Sequence, residues 1–318
     1  MSDFYHGPSA VSHSAVSEKK YLPPMRAFLE FVNEEKLDLL YAQLRIDNLV
    51  RDDYTTHPLK TRLNVFTVSE GAVSLAVGIA IEEGLISLND KICEYFPEYT
   101  SRETNENLQA VTLEHLLTMS TGVASSLFIC DDAARYTVKD WMQCFFDAAY
   151  IHKPGTAFMH CNLNTYMICC MIEKKAGTNL LEYLRNRLFE NIGIGNPDWL
   201  PCAKGHIMGF NGLYLTVEEM GMLGQLFLNK GTLNWHSIVP RSYISQAITA
   251  RMQVDADISY GYHIWVPGHV PNTLLLKGRF GQGIIINADK NAVFTFQALE
   301  GYRYEEMFSK AVEFLQLL

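Results

Sequence analysis

The stretch "GQGIIINADKNAVFTFQAL" (281–299) constrains the possible folds of this chain more than any other segment. Two runs rich in isoleucine, valine and phenylalanine flank the polar sequence "NADKN", which is typical of two antiparallel strands joined by a hairpin. The following segment, 303–318, carries its apolar residues on one side of an amphipathic helix. Together these segments predict a sheet with a helix packed on one of its faces.

Helical patterns dominate the middle of the chain. The segment 23–44 begins as a helix after two prolines and turns towards a strand at "LLYAQLRI", whereas the polar residues 51–63 are typical of a loop. Further helices are predicted over 70–83 up to Gly84, 111–122 from Thr112 to Gly122, 137–148 from Thr137, 164–177, and 216–231 with a capping box of Thr216 and Glu219. The pattern predicts an α+β fold, in which an antiparallel β-sheet built from both chain ends is flanked by helices and an all-helical subdomain is inserted between the ends.

The length and composition fit one domain over residues 1–318. We assign residues 1–66 and 208–318 to the sheet-containing part of that domain, and residues 67–207 to the mainly helical part. The serine-rich residues 1–22 are predicted to be loose or to pack as an arm.

The charge and cysteine content exclude several classes of function. The formal net charge is −9 and no long run of lysine or arginine occurs, so nucleic acid is not an expected partner. No segment has the roughly 20 apolar residues of a membrane helix, and residues 1–20 lack the apolar core of a secretory signal. Seven cysteines without a C-x-x-C pair indicate reduced thiols. We therefore expect a cytoplasmic protein that binds neither membrane nor nucleic acid and that holds no metal or cofactor.

Several segments follow one another in an order that resembles a known family: "NVFTVSEGAVSLAVGIAIEEGLISLNDKICEYFPEY", "VTLEHLLTMSTGV", "PGTAFMHCNLNTYMICCMIEKKAG", "GFNGLYLTVEEMGMLGQLFLNKG", "YGYHIWV" and "GRFGQGIIINADKNAVFTF". From about residue 60 to residue 318, the chain is similar to the serine β-lactamase and penicillin-binding-protein-like superfamily, in its class C β-lactamase and esterase branch. The resemblance implies a sheet packed between helices beside an all-helical part. It also implies three motifs that meet in the cleft between these parts.

In that superfamily the first motif is S-x-x-K, whose serine is the nucleophile and whose lysine shares its proton. It aligns with "TVSE", which places Thr67 at the serine and Glu70 at the lysine. The second motif, Y-x-N, aligns with "HCN", so His160 replaces the tyrosine and Asn162 is retained. The third motif, K-T-G or H-x-G, aligns near "GRFG" (278–281), with no lysine or histidine in the expected place. The resemblance thus marks Thr67, Glu70 and His160 as the catalytic positions.

These substitutions alter the groups that should move protons. Glu70 lies three residues after Thr67, on the same face of a helix, but a carboxylate with an ordinary pKa of about 4.3 is a poor base near neutral pH. Its negative charge would also oppose an oxyanion, and the methyl group of Thr67 restricts attack by the hydroxyl. We therefore expect a catalytically impaired homologue of serine acyl hydrolases that keeps a cleft for a small-molecule or peptide ligand.

Two other functions remain open. Thr67, His160 and Glu70 supply the hydroxyl, imidazole and carboxylate of a hydrolytic triad. An active ester or amide hydrolase would therefore use Thr67 as the nucleophile, His160 as the base and Glu70 as its orienting partner. A structural or interaction protein would instead have a closed cleft. A metal held by Glu70 and His160 would have too few ligands.

Three further residues are candidates for substrate binding. Asn162 could donate to a ligand carbonyl or could fix the backbone of its own loop. Arg279 could bind a ligand carboxylate as a bidentate fork, or it could pair with Glu70, because a buried glutamate needs a partner. Gly281 belongs to the third motif. Ser69 points away from the two altered positions and is expected to pack or cap the helix.

Overall fold

The computed structural model describes residues 20–101, 104–128 and 137–318. The segment predicted to be loose or arm-like, 1–22, therefore lies almost wholly outside the described residues. Within the described ranges, no helix is both long enough and apolar enough to cross a membrane.

Short and medium helices occur along the whole of the described chain, before, between and after the strands. The α-helices in the described ranges are α1 (Pro23–Glu34), α2 (Ser69–Glu82), α3 (Ile92–Tyr95), α4 (Glu106–Gln109), α5 (Leu113–Leu117), α6 (Trp141–Phe146), α7 (Asn162–Ala176), α8 (Leu180–Leu184), α9 (Val217–Leu228), α10 (Arg241–Ala247) and α11 (Tyr304–Leu315). Tighter 3₁₀ turns lie at Phe66–Val68, Pro97–Tyr99 and Glu190–Ile192, and a π-helical segment lies at Arg185–Phe189.

The strands form one large sheet and two small ones. They are β1 (Leu39–Ile46), β2 (Leu49–Thr55), β3 (Leu63–Asn64), β4 (Asp198–Trp199), β5 (Leu213–Leu215), β6 (Thr232–Leu233), β7 (His236–Ser237), β8 (Met252–Gln253), β9 (Ile258–Tyr260), β10 (Trp265–Pro267), β11 (Thr273–Gly278), β12 (Gln282–Asn287) and β13 (Ala292–Ala298). The large sheet has the order β2-β1-β13-β12-β11-β10-β9-β8, β3-β5-β4 form the second sheet, and β6 pairs with β7.

Neighbouring strands of the large sheet run antiparallel. β1 pairs with β13, with Gln43 opposite Thr295, so segments from the two ends of the sequence lie side by side within the sheet. β12 and β13 form the hairpin around "NADKN", with Asn287 opposite Ala292. The predicted α+β fold, with an antiparallel sheet built from both chain ends and flanked by helices, is confirmed.

Helices cover both faces of this sheet. On one face, α9 lies close to β12 and β13, because a Cβ at Gly224 would come within 2.6 Å of the side chains of Ile284 and Val293. On the other face, α1 and α11 cover an aromatic cluster in which Phe28 meets Phe294 edge to face at 5.1 Å. The amphipathic pattern predicted for the last helix therefore matches its place against the sheet.

Part of one predicted loop is a strand. Residues 51–63 were expected to be loop because they are polar, yet β2 covers Leu49–Thr55. It is the edge strand of the large sheet, and only Asp52 of its seven residues is buried. An exposed edge strand lacks the alternating apolar pattern that identifies a half-buried strand, so its sequence resembles that of a loop.

Two predicted helix boundaries were also wrong. α5 ends at Leu117, five residues before the predicted stop at Gly122. α6 begins at Trp141 instead of near Thr137, because the side chain of Asp140 accepts a hydrogen bond from the Gln143 backbone N–H at 3.2 Å. The acid three residues after the threonine is thus itself the N-cap.

Helix α2 is buried on every side, from Ser69 to Ala80. Two glycines allow this close packing. A Cβ at Gly71 would lie 2.9 Å from Leu276 of β11, and a Cβ at Gly78 would lie 2.5 Å from Tyr243 of α10. These tight contacts hold α2 against the sheet. They thereby fix the position of the 3₁₀ turn Phe66–Val68 and of the first residues of α2.

Candidate active site

The position of the expected nucleophile lies in the turn that leads into α2. Thr67 belongs to the 3₁₀ turn Phe66–Val68 and is half-buried. The hydroxyl of Ser69 lies 2.7 Å from the carbonyl oxygen of Phe66 and 2.6 Å from that of Gly209. Ser69 is therefore packed at the start of the helix, which is one of the two roles predicted for it, and its hydroxyl donates to backbone carbonyls instead of capping the helix.

Glu70 is at the centre of a buried polar cluster, with 2% of its surface exposed. Its Oε1 accepts a hydrogen bond from the Thr165 hydroxyl of α7 at 2.8 Å. Its Oε2 accepts one from the Tyr260 hydroxyl of β9 at 3.3 Å and lies 3.4 Å from His160 Nε2. Three elements of the fold therefore converge on one carboxylate, and both of its oxygens are engaged.

The electrostatics of the cluster keep this carboxylate ionised. Burial alone acts to raise the pKa of Glu70, but the imidazole of His160 and the Thr165 hydroxyl together hold that pKa below its ordinary value. The pKa of the Tyr260 hydroxyl changes in the opposite direction. Burial and the adjacent Glu70 charge raise this pKa well above its usual range. The cluster is therefore an anion surrounded by donors.

The structure brings His160 to Glu70 but does not complete a relay to Thr67. His160 precedes α7, is 28% exposed at its side chain and stacks on Trp265 of β10 at 6.1 Å between ring centroids. No hydrogen bond links the Thr67 hydroxyl to His160 or to Glu70, three residues that all lie in the described ranges. A hydrolytic triad needs both contacts at about 2.6–3.2 Å.

A second histidine borders the cluster. His263 is buried in the loop between β9 and β10, and neither ring nitrogen has a hydrogen-bond partner among the described residues. Burial lowers the pKa of His263 to about 4, although the nearby Glu70 charge opposes this effect. The ring is therefore neutral at physiological pH, and it contributes bulk to the cluster and no fixed charge.

Asn162, the residue retained from the second motif, is turned towards its own protein. It is buried at the first position of α7, and its side-chain amide donates to the Phe128 carbonyl oxygen at 2.5 Å. This contact ties Asn162 to the backbone at Phe128, which belongs to a different segment from the loop that Asn162 was expected to fix.

The hairpin between β11 and β12 holds the third motif. A Cβ at Gly278 would lie 2.4 Å from the Val65 carbonyl oxygen, so this glycine lets the strand approach the turn before α2. The Arg279 guanidinium lies over the Phe280 ring at 4.9 Å, and it is not among the groups that contact Glu70 in the described residues. Gly281 has φ +84° and borders Ala298 and Met307, away from Glu70.

The lysine nearest to the third motif does not supply the missing base. Lys277 precedes Gly278, and its ammonium pairs with Glu305 at 2.6 Å. It also lies over the rings of Trp265 and Phe308, at 5.0 and 5.3 Å from their centroids. These contacts hold the ammonium next to α11, on the face of the sheet that α1 and α11 cover.

Two strained aromatic residues flank the site. Phe66 and Phe280 both adopt left-handed backbone conformations, with φ of 48° and 62°, and their rings meet at 5.2 Å between centroids. Such conformations are costly for bulky residues and cluster at functional sites. The pair lines a cavity of about 350 Å³ together with Leu63, Asn64, Gln282 and Leu299.

The sequence model of the family named Beta-lactamase matches residues 49–307, well over half of the chain. The chain belongs to the beta-lactamase family. Its predicted membership of the serine β-lactamase and penicillin-binding-protein-like superfamily is thereby confirmed.

Individual relatives of this beta-lactamase family member are distant. Protein flp of Staphylococcus aureus strain MRSA252 is 22% identical over 149 residues, which are 46% of this chain and 28% of that protein. The chain therefore spans only about a quarter of the length of the curated relatives that it matches.

Solved structures share the fold across nearly the whole chain. The octameric penicillin-binding protein homologue from Pyrococcus abyssi has a TM-score of 0.73 at 18% identity, covering 92% of this chain and 76% of that one. A family VIII carboxylesterase has a TM-score of 0.73 at 15% identity, covering 93% of this chain and 97% of that one. At these identities the similarity shows the fold alone.

The family resemblance pointed to position 70 in the beta-lactamase family member, but it did not predict which residues surround Glu70. Thr165, Tyr260 and His263 contact or border Glu70, and none of them was named as a candidate site residue, although all three lie in segments that carry the family resemblance. The available signal was weak: a hydroxyl one turn after "HCN" on an apolar helix, and a histidine among aromatics in "YGYHIW".

Proposed function

We propose that this chain is a beta-lactamase-family protein whose acyl-transfer chemistry is impaired and which binds a small-molecule or peptide ligand in the inherited cleft. One observation carries the proposal. Position 70, where the family's lysine is expected, holds a buried carboxylate whose two oxygens are engaged by Thr165, His160 and Tyr260.

The charge and the contacts of Glu70 both argue against catalysis. A general base works best when its pKa lies near the operating pH, whereas the pKa of Glu70 is held below its ordinary value. Its negative charge would also oppose the oxyanion of a tetrahedral intermediate, which active sites stabilise with donors. His160 cannot replace the missing lysine in this arrangement, because its Nε2 faces Glu70 and no hydrogen bond joins it to Thr67 in the described chain.

The retained strain supports a ligand-binding role for the cleft. Phe66 and Phe280 keep left-handed backbones on either side of the cavity that they line, immediately beside Thr67 and Arg279. Each such conformation costs of order 1–3 kcal/mol, and strained residues of this kind are concentrated at functional sites. We propose that an apolar group of the ligand occupies this cavity.

The catalytic half of the proposal is tested with a fluorophosphonate probe and intact-mass measurement. The unmodified protein is expected to remain unlabelled at Thr67 and to hydrolyse a short-chain p-nitrophenyl ester no faster than buffer. The triple variant Thr67→Ser, Glu70→Lys, His160→Tyr restores the family's groups and is expected to gain label at position 67. The same background with Thr67→Ala is the matched control, and it should take up no label.

One result would support the active hydrolase instead. Labelling of Thr67 in the unmodified protein, lost on His160→Ala, would show a working hydroxyl–imidazole relay. This arm needs only the natural chain and one variant, so it decides the question even when the triple variant folds poorly.

The binding half is tested separately with benzylpenicillin, chosen because the Pyrococcus abyssi relative is a penicillin-binding protein homologue. We expect a reversible rise in melting temperature without a covalent adduct, since a ligand at 100 times its Kd stabilises by about 2.7 kcal/mol. Phe66→Ala should reduce the shift by opening the cavity. If neither benzylpenicillin nor the short-chain p-nitrophenyl ester shifts the melting temperature, the cleft is closed and the binding half of the proposal is wrong.

A further inference from the structure

A second cavity lies in the helical part of the fold, away from the Glu70 cluster. Its volume is about 510 Å³, and its lining includes Tyr99, Met142, Cys170, Glu173, Lys204 and His206. Helix α7 connects the two regions. Thr165 contacts Glu70 near its start, and Glu173 lies eight residues later, or about 12 Å along the helix axis.

Three side chains with metal-ligating atoms meet at this cavity. Cys170 and Glu173 stand three residues apart on α7, so they share a helix face. His206 follows a tight turn, in which Gly205 N–H donates to the Cys202 carbonyl oxygen at 2.9 Å. The thiol, one carboxylate oxygen and one ring nitrogen of the three residues all lie within 4.8 Å of one another.

The carboxylate is held in a fixed orientation. Glu173 Oε1 accepts hydrogen bonds from the Leu180 and Ile207 backbone N–H groups at 3.0 and 3.1 Å. Its Oε2 lies 2.6 Å from His206 Nδ1. These contacts give Glu173 a structural role, since it joins α7 to α8 and to the turn. That role does not require a thiol beside the pair or an opening onto a cavity.

We propose that Cys170, Glu173 and His206 form a binding site for a divalent transition-metal ion, with one coordination position open to the cavity. A thiolate, an imidazole and a carboxylate together match the donors that zinc prefers. Three protein ligands with a fourth position open to water is the arrangement of zinc sites that bind an exogenous ligand. The class of metal is therefore zinc or a close chemical substitute such as cobalt.

Metal binding would require two adjustments: the 2.6 Å contact between Glu173 and His206 must open, and the widest separation among the three ligand atoms, which is up to 4.8 Å, must shorten. Bond lengths of about 2.0–2.3 Å in a tetrahedral site place ligand atoms about 3.3–3.8 Å apart. His206 is 32% exposed at its side chain, so its ring can move away from Glu173 Oε2 to admit the ion between them. The main-chain contacts of Glu173 Oε1 leave its second oxygen to serve as the ligand.

The test uses the full chain, reduced and stripped with a chelator, and titrated with Co²⁺ alone. We expect one cobalt ion per chain, a thiolate-to-cobalt charge-transfer band in the near ultraviolet, and displacement of the cobalt by Zn²⁺. Cys170→Ser should abolish the band, and His206→Gln should weaken binding at least tenfold. His206→Gln is the safer variant for folding, because that side chain is partly exposed.

Cys169→Ser is the matched control. This thiol is equally buried on the same helix but faces Gly209, where a Cβ would lie 2.4 Å from its sulfur. It should leave both the band and the stoichiometry unchanged. The proposal is overturned when the unmodified protein shows no charge-transfer band, or when the band survives in Cys170→Ser.

Discussion

The imidazole of His160 and the carboxylate of Glu70 come within 3.4 Å of each other across 90 positions of sequence. Glu70 lies at the start of one buried helix and His160 immediately before another. The contact joins two positions that the family resemblance marks as catalytic. At one of them, position 70, a carboxylate stands where the resemblance implies a proton-accepting lysine. The stability of this contact between Glu70 and His160 can be measured by substituting either its histidine or the other groups that contact the carboxylate.

His160→Ala should destabilise the fold by about 1–3 kcal/mol, because it removes a hydrogen-bonding side chain that lies 3.4 Å from an oxygen of a buried carboxylate. The measurement is the free energy of unfolding in urea at pH 7. His160→Gln keeps a donor at a similar distance and should recover part of the loss. Equal stability of His160→Ala and the unmodified protein would contradict the role given to this pair.

Thr165→Val should cost about 1–3 kcal/mol, since it preserves the shape of a fully buried residue but leaves Glu70 Oε1 without its 2.8 Å donor. Urea unfolding again provides the value. The control is Thr165→Ser, which keeps the hydroxyl and loses only a methyl group. A smaller effect for valine than for serine would mean that packing, and not the hydrogen bond, matters at this position.

His263 should make the protein sensitive to mild acid. The pKa of His263 is about 4 in the folded state and near 6.5 in an unfolded chain. Between these values the unfolded state binds more protons, so stability falls as the pH drops from 6.5 to 4 and the effect then levels off. The full difference is about 3 kcal/mol.

His263→Phe should flatten that part of the pH dependence, because phenylalanine cannot take up a proton. The backbone at this position has φ 60°, a conformation that Phe66 and Phe280 already adopt in the same chain. Melting temperatures measured from pH 4 to pH 7 test the prediction. The exposed His152→Phe is the control and should leave the slope as it is.

Gly78→Ala should destabilise the protein by about 1–3 kcal/mol, although alanine favours helices. Its Cβ would lie 2.5 Å from Tyr243 and 2.6 Å from Val239, both in the core. Gly195→Ala serves as the control, since nothing lies within 4 Å of a Cβ there. Thermal unfolding of the two variants separates the effect of overpacking at position 78 from the effect of a glycine-to-alanine change that causes no clash.

Much of the fold could be predicted because local signals agreed with the final packing. The capping box at Thr216 and Glu219 forms as expected, with hydrogen bonds of 2.9 and 3.2 Å. The hairpin of β12 and β13 and the last helix also lie where the pattern placed them. Strand β2 was missed because its partner, and not its own sequence, makes it a strand.

The candidate site could be predicted only in part. The resemblance pointed to Glu70 and His160, and the structure places them together. The partnership of Glu70 with Thr165 and Tyr260 depends on the approach of α7 and β9, which no local pattern encodes. Arg279 is not among the groups that act on Glu70 in the described residues, and its guanidinium lies over the Phe280 ring.

The pairing of β1 with β13 has a consequence for how the protein is made. Thr295 hydrogen-bonds to Gln43 across 252 positions, so the first strand emerges from the ribosome long before its partner exists. At about 5–20 residues per second, the delay is roughly 10–50 seconds. During that interval β1 and β2 form at most a two-stranded ribbon whose two outer edges are both unpaired, a state prone to aggregation. The nascent chain is therefore expected to depend on chaperones until β13 has been translated.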